Sequence, residues 1–146
     1  MTTHPAVVKA LVQVVQAAGG LVTIADSPGG PFSHKGLEEI YAASGMAQVA
    51  VETGAHLNYD LSTVNLPYPE GKLLKGVTVI EGVAEADVVI TVPRLKTHTL
   101  TGLTGAVKVA FGAVLALSKP STTCACPRSA TLARPCWTFA VWSGPA

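Results

Sequence analysis

Hydrophobic positions along this chain recur first at helical spacing, then in short unbroken runs. Val7, Val8, Leu11, Val14, Val15 and Ala18 follow the helical repeat. Thr3 and His4-Pro5 stand before them, and Gly19-Gly20 after them. Proline suits the first turn of a helix, where no backbone N–H is needed, and glycine suits its end. Leu21 to Ala25 is a β-rich run and predicts a buried strand, ended by Asp26-Ser27-Pro28-Gly29-Gly30-Pro31. Ser33 caps a second predicted helix with Leu37, Ile40 and Tyr41 as its apolar stripe and Gly45 as its stop. Met46 to Thr53 predicts a short third helix, closed by Gly54, and His56 to Tyr59 a short strand.

The middle is less regular. Leu66 to Gly71 reads as a turn or loop, and Gly76 to Ile80 as a strand. Ala86 to Val92 is the clearest strand pattern and stops at Pro93. A polar loop then runs to Gly102, and a last helix is expected from near Thr104 toward Leu115. Helices alternating with apolar strands predict an α/β fold: a Rossmann-like layered domain with a mostly parallel sheet, incomplete at both ends.

Two loops follow strand C-termini, the edge at which open α/β sheets bind ligands. In the first, Gly29 and Gly30 permit close backbone approach. Ser27 adds a hydroxyl, and Asp26 suits a metal, a hydroxyl or a cation. The competing reading is a tight connection whose Asp caps local amides. The second loop is denser. Arg94, Lys96 and His98 alternate, so extended backbone turns them to one side. Thr97 lies among them. Thr101, Gly102, Thr104 and Gly105 lead toward the last helix, with Lys108 about one turn inside it. Cations beside a helix start suit a carboxylate or phosphate. His98 is the candidate catalytic residue, as acid, base or metal ligand. A solvated basic loop is the competing reading. The spacing is not that of a Walker A loop. His4, His34 and His56 read as structural or exposed, and no Ser/His/Asp nucleophile order stands out.

Composition changes this picture in two ways. Hydrophobic residues make up 49% of the 146 residues and charged residues only 13%, which is apolar for a small free-standing domain. The net charge of +1 gives no ground for a nucleic-acid partner or an acidic membrane surface. The longest apolar run, Gly105 to Leu117, is interrupted by Lys108 and too short to span a bilayer. A cytoplasmic protein is expected, with no signal segment at the start.

The stretch from Ser121 to Ala146 breaks the pattern. It holds Cys124, Cys126 and Cys136, and both tryptophans, but no Asp, Glu or Lys. A Cys-x-Cys metal or redox site is one reading, though three thiolates leave a zinc site one ligand short. The alternative is a shifted reading frame after Pro120. One restored G turns Ser121 to Pro127 into EYHLRLP under GC-rich codons. Residues 1–120 are then a partial domain and 121–146 a non-native, disordered tail.

Four segments, THPAVVKALV, IADSPGGPFSHKGLEEIY, NYDLSTV and ADVVITVPRLKTHTLTGLTGAVK, resemble the domain of unknown function 362 family. The resemblance runs from Thr2 to Pro120 and is most specific around Lys96-Thr97-His98. It implies a cytoplasmic α/β domain linked to redox or anaerobic metabolism. Many members carry a ferredoxin-like module with a 4Fe-4S cluster, so such a module or another redox partner is an expected companion. No cofactor is expected in this chain itself, which has no Cys-x-x-Cys-x-x-Cys motif. Val109 departs from the family's common Asn after the Lys matching Lys108. The family usually has an earlier strand region with a Lys-Pro-Asn motif, and here the chain opens at Met1. The family also tends to continue Lys-Pro-Glu-Tyr-His where this chain reads Lys119-Pro120-Ser121. Three readings of function stay open: an enzyme or redox domain binding an anionic small molecule, a non-catalytic ligand-binding module, and a non-functional truncated product.

Overall fold

The computed structural model describes residues 3–26, 33–70, 75–98, 102–106, 113 and 138–143. Helix α1 spans Pro5–Ala17, with the His4 ring accepting the Ala6 amide at 3.2 Å as its cap. Pro5 sits in its first turn, as the sequence requires. Strand β1 is Leu21–Asp26, α2 is His34–Ser44 and α3 is Met46–Thr53. Ser33 caps α2 by accepting from the Gly36 amide. Strand β2 covers only His56–Leu57. The first three predicted helices and the first strand therefore stand close to their predicted bounds.

The middle differs from expectation. Thr63–Pro67 forms β3, which pairs antiparallel with β4, Gly76–Ile80. The sequence concealed β3 because its side chains are almost all exposed, leaving no apolar alternation to read. A single turn, α4, follows at Glu81–Ala84, and β5 is Val88–Thr91. Lys96–His98 is β6 and Gly102–Thr104 is β7, an antiparallel pair. The stretch expected to open the last helix is thus extended at Gly102–Thr104. Residue 106 is helical, and most of the expected helix lies outside the described residues.

The main sheet has the order β2-β1-β8-β5, where β8 is Thr138–Ser143. β2 pairs parallel with β1, while β8 runs antiparallel to both β1 and β5. It follows that β1, β2 and β5 all point the same way and β8 alone opposes them. This is an α/β fold, but its main sheet is mixed rather than mostly parallel: β1–β2 is its parallel pairing, and β1–β8 and β5–β8 are antiparallel. β8 belongs to the stretch expected to be disordered. Within that stretch only Thr138–Ser143 is described, and the three cysteines lie outside the described residues.

Strand alternation divides the layers. Val22 and Ile24 face a core built with Val8 and Val12 of α1, Leu37 and Tyr41 of α2, and Met46 and Val49 of α3. Burying each such aliphatic side chain contributes roughly 1.5–3 kcal/mol. Ala25 points the other way and packs with Ala113, Val83 and Ala86. Helical spacing alone included Val7 and Val14 in the α1 stripe, but both are exposed, and Val12 takes the core position. Val88 and Val89, on opposite faces of β5, are each more than a third exposed. Both faces of β5 are therefore less covered than those of β1.

Candidate functional site at the strand C-terminal edge

β1 and β5 end together. Ala25 and Thr91 both pair with Phe139 of β8. Asp26 and Val92, one residue further on, therefore lie level at the same sheet edge. Two strand spacings separate them, about 10 Å. β2, parallel to β1, ends at this edge too, and Asn58 and Tyr59 follow it. The Thr3 hydroxyl donates to the Val92 carbonyl and ties the start of α1 to the end of β5. The two loops singled out from the sequence thus leave one edge, on either side of β8.

On the β1 side, Asp26 is buried. Its amide donates to the Tyr41 hydroxyl at 3.2 Å, and that hydroxyl donates to the Asn58 carbonyl at 2.8 Å. One buried phenol therefore joins the ends of β1 and β2. Burial, and after it the nearby Asp26 carboxylate, hold the Tyr41 phenol well above its ordinary range, so it stays a neutral donor. The Tyr41 ring meets Tyr59 edge-on, with centroids 5.3 Å apart. Tyr59 in turn stacks on His34, centroids 5.0 Å apart and planes 25° from parallel. His34 Nδ1 lies 3.4 Å from Glu38 Oε1, one helical turn along. Asn58 and Asp60 close a polar turn behind Tyr59, and Asp60 accepts from both the amide and the hydroxyl of Ser62. Those bonds hold the Asp60 carboxyl below its ordinary range.

On the β5 side, Arg94 and Thr97 are exposed and Lys96 is half-buried. In the β6–β7 pairing, Lys96 is opposite Thr104 and His98 opposite Gly102. This register brings four of the predicted positions opposite one another along the hairpin. Gly105 follows, half-buried. Ser27, Gly29, Gly30, Thr101 and Lys108 lie outside the described residues.

The sequence had marked Asp26 but not its surroundings. Tyr41 read as one more member of an apolar stripe; its hydroxyl, which needs a partner once buried, was the available signal. His34 was set aside as structural or exposed. Its side chain is 61% exposed, yet a ring and a carboxylate hold it. The Glu four residues on was the signal there. Asn58 and Tyr59 open NYDLSTV, one of the segments that carry the family resemblance, but nothing in it marked them as part of a site.

Among the described residues no group of three or more His, Cys, Asp or Glu side chains is placed to hold a metal ion. No helix among them is long and apolar enough to cross a membrane. The chain as a whole has three cysteines, whereas a 4Fe-4S cluster takes four thiolates. Its own cysteines do not make up that ligand set.

A layered α/β domain whose parallel strands bring two polar segments to one C-terminal edge is the class of protein that fold and site define. Residues 1–134 match the family model described as Domain of unknown function (DUF362), and the chain belongs to that family. The match continues beyond Pro120 into the compositionally distinct stretch. No curated protein and no solved structure matches the chain.

Proposed function

We propose that this α/β domain binds an anionic small molecule at the shared strand edge and serves an iron–sulfur-linked redox protein or enzyme. The observation that carries the reading is the level ending of β1 and β5, which sends the Asp26 and Pro93–His98 segments from one edge. Arg94 and Lys96 supply positive charge, and charge-assisted hydrogen bonds to a carboxylate or phosphate are the strong kind. Gly102 and Gly105 allow close backbone approach, and His98 is the candidate for proton transfer on this side. Any cluster reaches the site on a ferredoxin-like module or redox partner.

Calorimetric titration with inorganic phosphate and with citrate tests the reading. The wild-type chain binds at least one of them, and Lys96→Ala with His98→Ala weakens that binding by tenfold or more. Equal binding by the double variant overturns the assignment. Ligand-dependent stabilisation without turnover on any anion assigns the chain to a non-catalytic binding module instead.

A further inference from the structure

Strands β6 and β7, which carry Lys96, His98, Gly102 and Thr104, form a two-stranded sheet separate from the main one among the described residues. A lone two-stranded hairpin is marginal in water, so its placement depends on how it is joined to the rest. The join is short. The β5–β8 ladder ends at Thr91, and β6 starts at Lys96. Between them Pro93 has no N–H to give and Arg94 is exposed. Leu95 is 70% exposed, so apolar burial does not pin the connection. Among the described residues, the hydrogen bond that reaches it from another element runs from the Thr3 hydroxyl to the Val92 carbonyl.

Thr3 directly precedes the His4 cap of α1. Val8 and Val12 seat that helix in the core, and Pro5 at its start lies against Gly45 at the α2–α3 junction. The hydroxyl therefore comes from a part of the molecule fixed by burial, on a side chain that is stiff about χ1. We propose that Thr3 is a positioning residue of the strand-edge anion site. By fastening the outgoing end of β5 to the start of α1, it sets where the Arg94 and Lys96 segment stands relative to Asp26. Without the bond, the Val92 carbonyl loses a donor and the connection turns freely beyond Thr91, carrying both cations with it. Thr3 touches no ligand in this role. The inference rests on the anion-site reading for what the held segment binds; the hold itself does not.

Nitrogen-15 relaxation and phosphate calorimetry on the full chain test this in wild type, Thr3→Val and Thr3→Ser. Valine keeps the shape and removes the donor, and serine keeps the donor. The Lys96–His98 amides are expected to have order parameters near 0.85 in wild type and Thr3→Ser, and below about 0.6 in Thr3→Val. The amides of α1 stay rigid in all three. Inorganic phosphate is expected to bind about fivefold more weakly to Thr3→Val, as for one lost hydrogen bond, and unchanged to Thr3→Ser. Lys96–His98 amides as rigid in Thr3→Val as in wild type, or loosened as much by serine as by valine, overturn the inference. So does equal phosphate binding by wild type and Thr3→Val. A Thr3→Val chain whose α1 loosens too shows the hydroxyl to be a general support of the fold, which also overturns the positioning role. Loosening in the valine variant alone, with no phosphate binding by any of the three, overturns the anion site and leaves the hold of Thr3 on β5 standing.

Discussion

The Tyr41 hydroxyl accepts the Asp26 amide proton at 3.2 Å and so fastens the last residue of β1 to the middle of α2. The same oxygen donates to the Asn58 carbonyl, which brings the end of β2 into the junction. Tyr41→Phe keeps the ring and its packing but removes both bonds. The expected loss of stability is about 1–3 kcal/mol, measured by urea unfolding. A loss below about 0.5 kcal/mol shows that the junction does not depend on the hydroxyl.

The same phenol sets an alkaline limit. Its folded-state ionisation lies above the ordinary value of 10.0, raised chiefly by burial. The unfolded chain therefore releases this proton near pH 10, and the folded chain only at higher pH. Between those points the native state binds more protons, so stability falls as pH rises. Urea midpoints between pH 9 and 11 should decline in the wild type and decline less in Tyr41→Phe. Parallel curves would assign the loss to other groups.

Gly45 ends α2 and caps α3 at φ +78°, and Gly54 ends α3 at φ +73°. A side chain in this left-handed region costs roughly 1–2 kcal/mol. At Gly54 an added Cβ meets nothing within 4 Å, whereas at Gly45 it falls 2.9 Å from Pro5 Cγ at the start of α1. Gly45→Ala should therefore destabilise more than Gly54→Ala. Thermal melts of the two variants compare them directly, and equal shifts would show that α1 gives way without penalty.

β8 joins β1 to β5, pairing with β1 over Thr138–Ser143 and with β5 over Phe139–Trp142. Ending the chain after Trp137 should lower the melting temperature by about 5 °C or more, because β5 loses its partner in the main sheet. An unchanged melt means that Thr138–Ser143 adds nothing to stability. Genomic sequencing through this region separates the two origins of the tail. A G restored after the Pro120 codon replaces it with EYHLRLP and its continuation. An intact frame makes metal analysis of Cys124, Cys126 and Cys136 the next step.

Lys9 and Glu52 pair across α1 and α3 at 2.6 Å on the surface. The hydrogen bond from Lys9, then that from Gln48, hold the Glu52 carboxyl below its ordinary range. Whatever stability this gives is present above the ordinary carboxylate value and fades as pH falls through the lowered one. Lys9→Ala should raise the Glu52 pKa in an NMR titration. Its effect on stability at neutral pH should be within the scatter of exposed pairs.

The α/β character, α1 to α3, the buried run of β1 and the two polar segments after strands are all legible in the sequence. Each is encoded locally, by apolar period, by Ser or Pro at a helix start, or by Gly at its end. Which α1 residues face the core was not. Val8, Leu11, Val12 and Val15 pack into or against the core while Val7 and Val14 fall outside that stripe and are exposed, a choice made by where the sheet lies. The exposed strand β3 left no apolar trace, and the β6–β7 pairing fell where glycine and threonine suggested a helix start. Tertiary structure alone decided that Asp26 and Val92 lie level at one edge, because that depends on a register shared through β8. It also brought together Asp26, Asn58, Tyr59 and His34 through Tyr41. No periodicity records such a meeting, since hydrogen bonds and ring contacts between separate elements exist only once the strands have paired.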